Sequence, residues 1–132
     1  MIKKWIQLIV ILFGFTLGIS GTNVITKASS WHKGTPSLIR GTWSYNPRGQ
    51  EWGQYKINRT SYYSEWMGMP EVKVTGVKYR VLGNYKYELT GHGHKNGMYK
   101  GGRDTIIVKR QAHYLYVKIP GMTATKYYHG GL

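Results

Sequence analysis

The sequence predicts an all-β protein: a small antiparallel up-and-down barrel preceded by a helical signal segment. Three observations carry that expectation. Apolar and polar residues alternate in short runs, and no long stretch has the three-to-four-residue spacing of an amphipathic helix. Turn signals recur about every ten residues, as in sandwiches and barrels. The aromatic residues after position 28 are 12 tyrosines and 4 tryptophans with no phenylalanine, side chains suited to surfaces with one dry and one wet side.

The elements follow in chain order. Met1-Ile-Lys-Lys4 is a basic head, Trp5 to Ile19 is apolar and uncharged, and Ser20 to Ala28 is polar and ends in a small residue. This is the three-part layout of a secretory signal peptide, with cleavage expected after Ala28. A single domain of 104 residues, 29 to 132, would remain. It has no cysteine to staple it, which fits export from a Gram-positive type of cell better than oxidative folding in a secretory pathway.

Gly41 to Asn46 reads as the first long strand, closed by the turn Asn46-Pro-Arg-Gly49. Trp52 to Ile57 and Thr60 to Trp66 are the next two, and Gly68-Met-Pro70 breaks the chain. Glu71 to Val81 is long, and Gly76 inside it marks a bulge. In Val77-Lys-Tyr-Arg-Val81 the apolar positions share one face. The alternation resumes after Leu82-Gly-Asn84 with Tyr85, Tyr87 and Leu89, which makes a hairpin. Asn96-Gly97 suits a type I′ turn. Thr105 to Lys109 and His113 to Ile119 form another hairpin with Leu115, Val117 and Ile119 inward, and Thr123 to Tyr128 is the last strand.

Gly41-Thr-Trp43, entered through Thr35-Pro-Ser-Leu-Ile-Arg40, resembles the Gly-x-Trp first strand of lipocalin-like (calycin) barrels. The chain is similar above all to the short, basic, exported members from Gram-positive bacteria. Val74 to Thr90, with its Tyr87-Glu-Leu-Thr-Gly91 ending, and Lys126-Tyr-Tyr128 match that layout. The resemblance implies that Trp43 plugs one end of the barrel and that a late arginine packs on it. The final strand carries no arginine, and Arg103 and Arg110 fall outside the position the family pattern implies. The Thr-Asp-Tyr element of larger members is also missing, so a reduced barrel is expected. An interior mostly filled by side chains, with a shallow mouth, suits its size.

Two functional readings follow. In the first, the protein is a secreted, non-catalytic binding protein. A small amphipathic ligand lies near Gly41, Trp43, Tyr79 and Tyr87, the residues expected to form the ligand site or barrel plug. In the second, an envelope-associated protein binds an anionic polymer such as teichoic acid through Lys56, Arg59, Lys78, Arg80 and Lys86. The charge motivates it: the chain has 19 Lys/Arg against 5 Asp/Glu, a net +14. Lys3, Lys4 and Lys27 precede residue 29, so the remainder keeps 16 basic residues against 5 acids, or +11. Such a charge governs partners and solubility, not fold. A third, more distant reading is a secreted antagonist acting at another cell's surface.

The inventory for catalysis is thin, and no enzyme activity is expected. There is no thiol and no Gly-x-Ser-x-Gly elbow; Glu51 and Glu65 flank aromatic strands that could bring them together, but nothing in their spacing demands it. His92 and His94, two residues apart in Thr90-Gly-His-Gly-His-Lys-Asn-Gly97, would share one face of a strand. Two imidazoles are too few for a stable zinc site, so they are weak metal candidates and no cofactor is expected. The chain is expected to be monomeric, extracellular, without a specific nucleic-acid partner, and at the membrane only through the signal segment before cleavage.

Overall fold

The computed structural model describes residues 29–45 and 51–130. The signal segment, its cleavage site and the turn at Asn46 to Gly49 lie outside the described residues. The described residues form nine strands: β1 (His32–Lys33), β2 (Gly41–Tyr45), β3 (Gly53–Ile57), β4 (Tyr62–Trp66), β5 (Val72–Gly83), β6 (Lys86–Gly93), β7 (Gly102–Gln111), β8 (Tyr114–Lys118) and β9 (Thr125–His129). Each strand from β2 to β9 pairs antiparallel with the next, and β9 pairs back onto β2. The result is a closed, eight-stranded up-and-down barrel, so these strands leave no free sheet edge. Short β1 lies outside this ring, on β5.

Alternation sets the inside. On β2, Gly41, Trp43 and Tyr45 point inward; on β7, Asp104, Ile106, Val108 and Arg110 share one face. Ile39, Trp43, Ile57, Tyr62, Val74, Leu89, Ile106, Val108, Leu115 and Tyr127 are buried almost completely. Each such aliphatic side chain contributes about 1.5–3 kcal/mol by leaving water. An aromatic cluster of Tyr45, Tyr55, Trp66 and Tyr127 has ring centroids 5.2–6.2 Å apart and reaches the ends of β2 and β4.

The expected bulge is present at Gly76. The β5–β6 register shifts between Thr75 and Lys78, and Gly76 takes φ +60°. The extra residue resets the phase of the strand. Val74 and Val77 are both buried although three residues apart, and Tyr79 follows on the inward side. The β6–β7 connection differs from the expected type I′ turn. Asn96 and Tyr99 bond reciprocally at 3.0 and 2.9 Å, so Gly97 and Met98 are the central pair. Only Gly97 has positive φ, the type II′ pattern.

The two ends of the barrel differ. At one end Ser29 to Gly34 runs along β5, and Thr35 to Arg40 follows with a single 3₁₀ turn at Ser37–Ile39. Thr35 ties this segment down: its N–H donates to the Arg59 carbonyl at 2.9 Å and its hydroxyl to the Asn58 carbonyl at 2.5 Å. Arg40 donates to the Thr35 carbonyl at 2.6 Å. The other end carries the β4–β5, β6–β7 and β8–β9 loops, and the described residues leave it open.

Candidate functional site

The closed end is built on Trp43. Its ring is inaccessible to water, and its Nε1–H donates to the Ile39 carbonyl at 2.8 Å. His129 meets it edge-on at 4.9 Å. Gly41 is required two residues earlier because its φ is +130°, which a side chain would strain. The late arginine that the sequence reading placed out of position is in place. The Arg110 guanidinium lies 5.4 Å from the centre of the Trp43 ring and donates to the Leu38 carbonyl. Strand β7 ends at this end of the barrel, and the inward phase of Arg110 carries it over the indole.

Tyr79 and Tyr87 belong to the same half of the barrel. Their rings are 6.0 Å apart, Tyr79 stacks on His32 at 5.2 Å, and Tyr87 is buried beside the Gly83–Lys86 hairpin end. Gly41 and Trp43 lie on β2, and Tyr79 and Tyr87 form a separate pair on β5 and β6. The Trp43 ring itself has no exposed surface.

The cavity is at the opposite end. A space of about 430 Å³ opens between Tyr55, Ser64, Trp66, Val72, Tyr99 and Ile119, under a rim of Met69, Pro70 and Met98. A deeper recess of about 170 Å³ shares five of these residues and reaches Tyr62, Asp104 and Thr105. The rim is apolar and wet at once. Met98 is 85% exposed, Met69 62% and Met122 60%, with Met67 and Ile119 close behind. Every methionine after Met1 therefore stands on a loop at this one end. Methionine is flexible and polarizable, and it lines surfaces that adapt to varied apolar partners.

The floor is polar. Asp104 accepts the Tyr62 hydroxyl at 2.6 Å on one carboxylate oxygen and the Tyr99 hydroxyl at 3.1 Å on the other. Behind it the Thr90 and Thr105 hydroxyls pair at 3.0 Å. Burial raises the Tyr62 hydroxyl well above the usual phenol range, and the Asp104 charge and hydrogen bond add to the shift. Tyr55 and Tyr99 are each pushed up to about 12 by burial first and by Asp104 second.

Sequence reasoning missed this floor, although the signal lay in Gly91-His-Gly-His94. The glycines of that run face the barrel and the imidazoles face away from it. A Cβ on Gly93 would sit 2.0 Å from the Tyr99 hydroxyl, so glycine here gives Tyr99 its path to Asp104. His92 and His94 lie 4.9 Å apart on the outer side, and His94 Nε2 is 2.7 Å from the Thr75 hydroxyl. Among the described residues no group of three metal-ligating side chains forms. Glu65, on the outer face of β4, accepts from Gln54 at 3.4 Å.

The five basic residues singled out for a polymer are dispersed. Lys78 and Arg80 clasp Trp31 at 5.5 and 4.7 Å, and Arg80 pairs with Glu88 at 3.0 Å. Lys56 lies on the β2–β5 wall opposite Tyr63, and Arg59 is exposed in the turn at the closed end. Lys86 joins partners the sequence reading left out. Cross-strand pairing aligns Lys86, Lys109, Tyr116 and Lys126 across β6 to β9, above a groove of about 310 Å³ that Lys118 also lines. Lys126 stands 3.9 Å from the centre of the Tyr114 ring.

Fold and site together define a class: a small closed β-barrel with a tryptophan plug at one end and a methionine-rimmed mouth at the other. The barrel is compatible with a lipocalin-like fold. Comparison with family models, with curated proteins and with solved structures returns no match.

Proposed function

We propose that this chain is an exported, non-catalytic binding protein of lipocalin type that takes a small amphipathic molecule in the open mouth of its barrel. The observation that carries the reading is the mouth itself: an apolar, methionine-rimmed cavity of about 430 Å³ with a single carboxylate at its floor. Small-molecule sites are concave, mainly apolar and marked by a few placed polar groups. Binding is favoured over catalysis because both oxygens of Asp104 are already held by tyrosine hydroxyls. The Gly41-x-Trp43 plug under Arg110 supports the lipocalin reading, and the layout of the first 28 residues supports export.

The test uses diphenylhexatriene, a hydrocarbon that fluoresces only out of water. Its emission should rise on mixing with the protein, saturate at one equivalent and change little with salt, because apolar burial is not screened. Ser64→Trp should abolish the signal while leaving the circular dichroism spectrum intact. Tyr79→Phe, at the closed end, should not alter it. Full binding by a folded Ser64→Trp variant would remove the mouth from consideration.

A second reading keeps the barrel as scaffold and places function on the outer face of β6 to β9. The aligned Lys86, Lys109 and Lys126, interleaved with Tyr114 and Tyr116, favour an anionic polymer such as teichoic acid there.

A further inference from the structure

The floor of the mouth has a sign, and that sign is opposite to the protein's own. Asp104 is the carboxylate of the recess, and among the described residues Arg80–Glu88 is the only pairing of a basic side chain with an acid within 4.0 Å. Among the described residues no lysine or arginine lies within that range of Asp104. Its hydrogen bonds come from the neutral donors Tyr62 and Tyr99, one to each oxygen. An ionised carboxylate has about four lone-pair sites, so acceptor capacity is left after those two bonds.

The walls around it are aromatic: Tyr55, Tyr62, Tyr99 and, nearer the rim, Trp66. Ring faces attract cations, and more strongly where water is excluded. The same carboxylate contributes to the raised titration of Tyr55, Tyr62 and Tyr99, after burial, so its field is felt across the recess. A ligand carboxylate placed here would face like charge, with no basic side chain among the described residues within 4.0 Å of Asp104. A ligand hydroxyl would gain one hydrogen bond. A protonated amine would gain hydrogen bonds, ring faces and charge neutralisation together.

We propose that the head group selected by the mouth is a basic nitrogen, so that the ligand class is an apolar chain or ring system bearing an amine, held by Asp104 within the tyrosine walls. The inference rests on the mouth being a binding site, as proposed above. It runs against the net charge of +14, which by itself favours anions over amines. A preference for amines is therefore a property of the recess and not of the surface.

The experiment displaces bound diphenylhexatriene with three ten-carbon chains, decylamine, decanol and decanoate, below their micelle concentrations and at 150 mM salt. Salt at that level limits the reach of the surface charge to about 8 Å. Decylamine should displace the probe at a concentration at least tenfold below decanol, with decanoate weakest. In Asp104→Asn, measured against that variant's own probe affinity, decylamine should fall level with decanol. Decanoate matching or beating decylamine overturns the inference, as does an undiminished amine preference in Asp104→Asn. The series on the unaltered protein decides the matter even where that variant does not fold. Failure of the folded protein to take the hydrocarbon overturns the mouth reading and this one with it. Uptake of the hydrocarbon with no preference among heads overturns the amine inference alone.

Discussion

Arg110 and Trp43, 67 positions apart in the chain, meet with the guanidinium 5.4 Å from the ring centre, and the arginine also donates to the Leu38 carbonyl. The pair locks β7 and the 3₁₀ turn over the indole, which closes this end. A cation over an indole contributes about 0.5–2 kcal/mol, and a charged hydrogen bond about 1.5–3. Arg110→Ala should therefore lower the unfolding free energy by about 1–3 kcal/mol in urea titration. In a double-mutant cycle with Trp43→Phe the two changes should be coupled by at least about 0.5 kcal/mol. Simple additivity would mean that the contact is incidental.

Gly76 sets the phase of β5. Nothing lies within 4 Å of a Cβ built on it, so Gly76→Ala incurs only the left-handed backbone penalty of about 1–2 kcal/mol. Gly76→Asn should cost less, because asparagine tolerates that region. Deleting Gly76 is a different matter. It would turn Val77 and Tyr79 outward or break the pairing with β6, and the barrel should not form. A deletion variant with an unchanged melting temperature would refute the assigned register.

The buried tyrosines predict behaviour at high pH. The Tyr55 and Tyr99 values are raised from the ordinary 10 to about 12. A raised folded value means that the native state holds its proton more tightly than the unfolded chain. This contribution to stability is complete below pH 10 and is lost as pH rises through about 12. Part of the 295 nm tyrosinate absorbance should be withheld beyond pH 11 and released as the near-ultraviolet circular dichroism collapses. Gly93→Ala, which pushes Tyr99 away from Asp104, should release one tyrosine earlier. A smooth single-step titration uncoupled from unfolding would contradict the floor as described.

The basic face makes a separable forecast. Replacing Lys86, Lys109, Lys118 and Lys126 with serine should weaken binding to a teichoic acid and flatten its salt dependence, because fewer counterions are released. Removing four charges elsewhere should do less: Lys56, Lys78 and Lys73, which pairs across from Tyr63, and Arg59 in the closed-end turn. Equal loss from both sets would point to net charge alone, without a polymer site.

What was legible beforehand was local. Strand after strand follows from alternation, since a pleated backbone sends neighbouring side chains to opposite faces. The bulge at Gly76 was marked by a glycine within a strand pattern. Gly41-Thr-Trp43 resembles the first strand of lipocalin-like barrels, and that resemblance implies a plug at Trp43. Arg110 was read as misplaced, because position in the sequence does not reveal which end of the barrel a strand's last inward residue reaches. The Gly-His-Gly-His run drew attention to its imidazoles, while in the structure its glycines have the larger consequence.

By itself, then, the sequence determined an all-β barrel, the strands that compose it and the basic charge of its surface. Those properties depend on residue type and on a period of two. Tertiary structure decided which end is closed, that Met67, Met69, Met98 and Met122 surround the other, and that Tyr62 and Tyr99 meet on Asp104. The physical reason is that sheet closure and register fix these meetings. Tyr62 and Asp104 are 42 residues apart, and no local pattern encodes the pairing that brings their strands to one mouth.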